Sequence, residues 1–175
     1  MKSIKLVMFD RDGTLNRKID NHYLLSENQI VSSPDILEIK RIVELGLKIS
    51  VVSNQACISK KLIDKLKVIE ITKTVLRPVI DIPEKEIFIC GHLDSDKCLC
   101  RKPMPGLIHQ CLEYFNLNPS EAIMIGDSIS DSNAASTAGV KFIGVCWDST
   151  CMGGGCLHTI KNVIDKILID EFGTE

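Results

Sequence analysis

Four short polar clusters carry most of the chemistry open to this chain. Asp10-Arg11-Asp12-Gly13-Thr14, Ser53-Asn54-Gln55, Arg101-Lys102-Pro103 and Gly126-Asp127-Ser128 with Asp131 each come after an apolar run of strand length. Asp10, Asp12 and Asp127 on one rim would repel one another unless a cation joined them, so a hard divalent ion held by oxygens is expected. Mg²⁺ suits that role, because it keeps waters and shares its shell between carboxylates and a phosphate. Ser53, Asn54, Arg101 and Lys102 add a hydroxyl, an amide, a guanidinium and an ammonium, which are donors for phosphoryl oxygens. The set fits phosphoryl transfer: an aspartate attacks in line, an acyl phosphate forms, and a second carboxylate assists its hydrolysis. Each cluster alone reads equally well as a helix cap or a solvated loop. Four at equivalent positions do not.

A second constellation is Cys90, His92, Cys98 and Cys100, spaced C-x-H-x5-C-x-C. Three thiols and an imidazole match a tetrahedral zinc site, and four protein ligands leave no open position, so the zinc expected here is structural. A Cys90–Cys98 disulfide is the competing reading, and it suits a secreted chain better. Arg101 and Lys102 follow Cys100 directly, so ligation would fix the loop and aim both cations.

The elements that must position these residues show in the apolar pattern. Runs at 4–9, 47–52, 87–89, 122–125 and 141–145 are near-continuous, which suits strands covered on both faces. Amphipathic stretches at 33–46, 59–76, 105–115, 131–138 and 159–169 read as helices. The alternation predicts a doubly wound α/β fold with a mainly parallel sheet, whose ligand sites lie at the carboxyl ends of the strands. One domain over 1–175 is expected, with the zinc loop at 90–100.

Composition narrows the classes. With 175 residues, 45% hydrophobic and 25% charged, the chain suits an ordinary globular domain and not disorder. A net charge of -2 offers no electrostatic footprint for nucleic acid or an anionic membrane. The run at 4–9 is too short for a secretory signal, and no window approaches a membrane span, so a cytoplasmic location is expected. Eight cysteines then call for metal and burial more than bridges. Cys57 and Cys111 read as buried thiols and His109 as a structural histidine. Cys146, Cys151 and Cys156 with His158 are too loosely spaced to favour a second metal site.

DRDGT after one apolar strand, SN after the next, a later lysine and GDSISD together resemble the haloacid dehalogenase superfamily of phosphatases, across essentially the whole chain and in order. The resemblance implies a Rossmann-like fold, with Asp10 the phosphorylated nucleophile and Asp12 the general acid/base. It implies Mg²⁺ held by the Asp10 and Asp127 carboxylates and the Asp12 backbone carbonyl, with Asp131 in support. Ser53 and Lys102 are implied to hold phosphoryl oxygens. With the zinc loop included, the pattern resembles the branch of heptose-1,7-bisphosphate phosphatases and histidinol-phosphatase domains, which carry no large cap. There an arginine matching Arg101 contributes to substrate recognition, and Tyr23 is the counterpart of a pocket tyrosine; Asn54 joins them as a substrate-binding candidate.

The implied activity is Mg²⁺-dependent hydrolysis of a small sugar phosphate, D-glycero-D-manno-heptose 1,7-bisphosphate at C7, with histidinol phosphate second. The implied partner is a small phosphorylated metabolite, with no nucleic acid, no membrane and a monomeric chain. Two departures from the branch stand out: Gly91 replaces a proline, and ACISKK at 56–61 replaces G-I-A-R-G. A nucleic-acid end phosphatase and a silent zinc module are the readings from other classes. The balanced charge counts against the first. The presence of Asp10, Asp12, Lys102 and Gly126-Asp127 counts against the second.

Overall fold

The computed structural model describes residues 4–19, 22–145 and 159–173. Five strands form one parallel sheet: β1 (Leu6–Phe9), β2 (Lys48–Asn54), β3 (Ile87–Cys90), β4 (Ala122–Gly126) and β5 (Lys141–Gly144). Their spatial order is β3-β2-β1-β4-β5. Helices α1 (Lys40–Glu44), α2 (Lys65–Leu76), α3 (Gly106–Phe115), α4 (Ile129–Ala138) and α5 (Ile160–Phe172) connect or follow them. The apolar runs are continuous because the sheet has a core on each face. Val7, Phe9, Ile49, Val51, Ile123 and Ile125 face α5 and α2. Leu6, Met8, Val52 and Met124 face α3 and α4. Successive strand residues point to opposite faces, so both faces need apolar side chains.

Register then sets where the polar clusters emerge. Phe9 is level with Val51 of β2 and Ile125 of β4. Asp10 extends the ladder, donating its N–H to the Ile125 carbonyl at 2.9 Å. β2 runs on to Asn54, which is level with Cys90 of β3. The chain winds outward from β1 through β2 to β3, then crosses back to β4 and β5. The winding reverses between β1 and β4, where open α/β sheets bind their ligands. Asp10 and Asp127 flank that point.

The two helices that precede β3 differ from the sequence pattern. The stretch at 33–46 is a 3-10 segment, Ile36–Ile39, running into the short α1. The stretch at 59–76 becomes helical only at Lys65, because Asp64 caps it by accepting the Lys67 N–H at 2.8 Å. Residues before the cap form turns, with Lys61 at φ 56°. Residues 55–86 hold α2 and turns, and residues 10–47 hold short helices and a loop pinned by an Asn16–Ser32 bridge. Neither interval carries a large cap. Among the described residues, no helix is long and apolar enough to cross a membrane.

Candidate active site

Lys102 is the hub of the site and is 3% exposed. Its ammonium donates to Asp10 Oδ1 at 2.9 Å and to the Val52 carbonyl at 2.7 Å, and lies 2.5 Å from Asp131 Oδ1. Burial opposes the charge, but Asp10 and Asp131 hold the ammonium above its ordinary range. Asn54 fixes the backbone beneath it: its Nδ2 donates to the Lys102 carbonyl at 2.9 Å, and its Oδ1 accepts the Lys102 N–H at 3.0 Å. Asp131 is fully buried in the first turn of α4, where its Oδ2 accepts from the N–H and hydroxyl of Ser128 at 3.1 and 2.5 Å. This reciprocal capping box starts α4 at Ile129, two residues before the position suggested by the sequence.

Asp10, Asp127 and Asp131 bring carboxylate oxygens within 4.8 Å of one another. Burial, and then the charges of Asp10 and Asp131, push the Asp127 carboxyl up to about 7. Burial also raises Asp10, against the pull of Lys102. Two glycines make this crowding possible. A Cβ on Gly13, whose φ is +89°, would lie 2.1 Å from Asp127 Oδ2, and one on Gly126 would lie 2.6 Å from Asp131. An all-oxygen donor set under mutual repulsion fits a hard divalent cation such as Mg²⁺.

Asp12 faces a different set of partners. Its Oδ1 accepts from Arg11 Nε at 3.1 Å and Asn16 Nδ2 at 3.0 Å, and its Oδ2 from Arg11 Nη2 and Gln55 Nε2, both at 2.8 Å. Burial opposes ionisation, but the Arg11 charge and these donors hold the carboxyl below its ordinary range. Gln55 also donates to Ser53 Oγ at 3.0 Å.

The cysteine loop closes at one end of β3. Contacts among Cys90, Cys98 and Cys100 Sγ and His92 Nδ1 run from 3.3 to 3.6 Å. With Zn–S of about 2.3 Å and Zn–N of about 2.0 Å, the edges of a tetrahedral site come to roughly 3.5 to 3.8 Å, so the four donors fit zinc. The Cys90 and Cys98 sulfurs stand 3.6 Å apart and are not bridged. Arg101 anchors to this loop, donating to Asp94 Oδ1 at 2.5 Å and the His92 carbonyl at 3.2 Å. The two departures from the branch pattern meet here. A Cβ on Gly91 would come 3.1 Å from Ile58 Cβ, and Ser59 N–H donates to the Gly91 carbonyl at 3.2 Å. The segment 56–61 thus packs on Gly91, and a side chain there would need Ile58 to give by a few tenths of an ångström.

A cavity of about 260 Å³ is lined by Asp10, Asp12, Tyr23, Ser53, Asn54, Arg101, Lys102 and Asp127, which gathers all the phosphate-site candidates read from the sequence. Lys60 stands 5.1 Å over the Tyr23 ring. Arg11, Asn16, Gln55 and Lys18 were not singled out as site residues. The available signal was the charge of Arg11 directly after a buried strand, where only a partner could satisfy it. Cys57 and Cys111 are buried as expected, whereas His109 is exposed on α3 and has no core role. Cys146, Cys151, Cys156 and His158 lie outside the described residues.

A family model for haloacid dehalogenase-like hydrolases matches residues 17–145. The D-glycero-beta-D-manno-heptose-1,7-bisphosphate 7-phosphatase of Neisseria meningitidis is 30% identical over 140 residues, 79% of this chain and 75% of the relative. The D-glycero-alpha-D-manno-heptose-1,7-bisphosphate 7-phosphatase of Photorhabdus laumondii is 31% identical over 149 residues, 78% of this chain and 79% of the relative. The crystal structure of D,D-heptose 1,7-bisphosphate phosphatase from B. bronchiseptica, complexed with magnesium and phosphate, matches with a TM-score of 0.82 at 23% identity. It covers 95% of this chain and 99% of that one.

Proposed function

The chain belongs to the haloacid dehalogenase-like hydrolase family, and from that premise we propose that it removes the C7 phosphate of D-glycero-D-manno-heptose 1,7-bisphosphate through a phosphorylated Asp10. The observation that carries this reading is the buried Asp10–Lys102–Asp131 contact beside Asp127 at the winding reversal of the sheet. Asp10 attacks phosphorus in line, and Asp12 gives its proton to the departing sugar oxygen, then takes one from the water that cleaves the aspartyl phosphate. Lys102 and Ser53 hold the phosphoryl oxygens, while Asn54 holds Lys102. Asp10, Asp127 and the Asp12 carbonyl would hold Mg²⁺, which when bound neutralises charge developing on the phosphoryl group. Cys90, His92, Cys98 and Cys100 would hold a structural zinc that orders the loop bearing Arg101 and Lys102.

Relatives named for this activity on both anomers support the substrate. Arg101, Tyr23 and Lys18 on the rim are the groups that would meet the sugar and its second phosphate. Histidinol phosphate is the alternative, suggested by the compact zinc spacing. Phosphate release with Mg²⁺ is to be measured on both heptose bisphosphate anomers, histidinol phosphate and a 3′-phosphorylated oligonucleotide. Turnover of a heptose bisphosphate, abolished by Asp10→Asn, is expected. Preference for another substrate in the panel would overturn the assignment, and an Asp10→Asn variant as active as wild type would overturn the mechanism.

A further inference from the structure

Asp12 has no acceptor to spare. A carboxylate offers about four lone-pair sites on its two oxygens, and four N–H donors, two on each oxygen, occupy them. Two of the four come from one residue, Arg11, whose planar fork meets both oxygens and so sets the plane of the carboxyl group. Arg11 is 1% exposed, although it stands between two residues of an open cavity. Its remaining donors go to a cavity wall and to α2: Nη2 also reaches Gln55 Oε1 at 2.9 Å, and Nη1 reaches Thr72 Oγ1 on α2 at 3.5 Å. Gln55 returns the network to the site through Ser53. A buried ion pair is weak grounds for stability, since apolar groups of like volume often do as well. What the pair does supply is a fixed geometry.

We propose that Arg11 is the positioning residue for proton transfer by Asp12, with Gln55 as its second support. This rests on the phosphatase reading above. In the first step the Asp10 oxygen–phosphorus bond forms as the bond to the sugar oxygen breaks, and the Asp12 proton passes to that oxygen. Asp12 is left as a carboxylate, whose plane the Arg11 fork keeps fixed through the transfer. Its lone-pair count also requires one bond to yield while the leaving oxygen is engaged. The Asn16 and Gln55 amides are single contacts and can yield without disturbing the fork.

The test is leaving-group dependence. A sugar alkoxide must be protonated to depart, whereas p-nitrophenolate leaves without help. Arg11→Met is expected to lower kcat/KM, which reports the phosphoryl-transfer step and not the shared hydrolysis of the aspartyl phosphate, about 10- to 100-fold more on the heptose bisphosphate than on p-nitrophenyl phosphate. Gln55→Leu should shift the ratio in the same direction by less, and Arg11→Lys, which keeps charge without the fork, should fall between Arg11→Met and wild type. Thr72→Val cuts the Arg11 tie to α2 together with the hydroxyl's own bond to the Val68 carbonyl, touches no Asp12 contact, and should leave the ratio within about two-fold. Equal losses on both substrates in Arg11→Met and Gln55→Leu would overturn the proposal, for Arg11 would then only brace the loop. If Arg11→Met does not fold, Arg11→Lys and Gln55→Leu decide by the same ratio. A wild-type protein inactive on every phosphate ester would sink the phosphatase reading and this inference with it. An active one with an unmoved ratio sinks this inference alone.

Discussion

Asp127→Asn should make the Mg²⁺-free protein more stable while destroying its activity. Asp127 has 18% of its side chain exposed and one ion pair among the described residues, to the exposed Lys18 at 4.0 Å. Burial and the charges of Asp10 and Asp131 raise its carboxyl from 3.8 to about 7. The unfolded chain loses this proton near 3.8 and the folded chain near 7, so the folded state binds more protons in between. Stability therefore falls as pH rises through that window and stays low above it. A difference of about three pKa units sets a ceiling of about 4 kcal/mol, and water reaching the rim reduces this to about 2 kcal/mol. Asparagine has nearly the same shape and no charge to ionise. The variant should match wild type near pH 4 and exceed it by about 2 kcal/mol at pH 8, or about 4–8 °C in Tm for a chain of this size. Thermal and urea unfolding across that range, in buffer without added Mg²⁺ and without chelator, would measure the gap. Added Mg²⁺ should raise the Tm of wild type and barely move the variant, whose phosphate release should fall at least about 100-fold. A variant less stable than wild type at pH 8, or a gap that is the same at pH 4 and pH 8, would refute the account of carboxylate repulsion.

Other perturbations reach the same site differently. Lys102→Met leaves Asp10 and Asp131 buried without their shared cation, and should cost about 3–5 kcal/mol in urea unfolding along with all turnover. Gly13→Ala drives a methyl into Asp127 at a position of positive φ; turnover should drop at least about 100-fold, with a stability loss of about 1–3 kcal/mol by calorimetry. Zinc removal should release the segment carrying Arg101 and Lys102, seen as faster amide exchange over 91–104 together with lost activity, and full protection in the zinc-free protein would exclude the role. The Cys111 thiol, pushed by burial up to about 12, should stay unlabelled by maleimide at pH 8 in the folded protein and react on unfolding, as mapped by mass spectrometry.

The sheet was legible because a two-faced core forces continuous apolar strands, and the polar clusters that line the cavity were legible because each follows such a strand. The Cys90, His92, Cys98 and Cys100 cluster was legible from spacing alone, since its four donors are close in sequence. Arg11, Gln55 and Asn16 were not, because their work depends on which way their side chains turn. Arg11 lies between two cavity aspartates yet turns inward to α2; its charge directly after a buried strand calls for a partner, but the DRDG pattern does not say which one. The start of α2 was misplaced for a local reason: the periodicity continues upstream of Asp64, but its cap and the left-handed Lys61 end the helix there. Gly91 and the 56–61 segment looked like two departures from one branch. In space they are one, because Ile58 fills the room that a side chain at 91 would need.

Charge balance explains why this site calls for a metal as well as a substrate. Four carboxylates, Asp10, Asp12, Asp127 and Asp131, stand around the winding reversal, and two buried cations answer them. Lys102 is shared by Asp10 and Asp131, and Arg11 is committed to Asp12. Arg101 is turned to the zinc loop and Lys18 is exposed, so neither neutralises the interior. Two positive charges against four negative leave a formal deficit of two beside Asp127, which one divalent ion cancels. A phosphate dianion approaching without that ion would meet the uncancelled carboxylates. With the ion in place, the phosphate would meet the ion, Lys102 and the rim cations in place of uncancelled carboxylates. Under the proposed function, metal before substrate is the binding order expected, and Asp127, the carboxylate with no buried cation, is the group expected to set it; phosphate that protects the protein equally with and without Mg²⁺ in thermal unfolding would refute it.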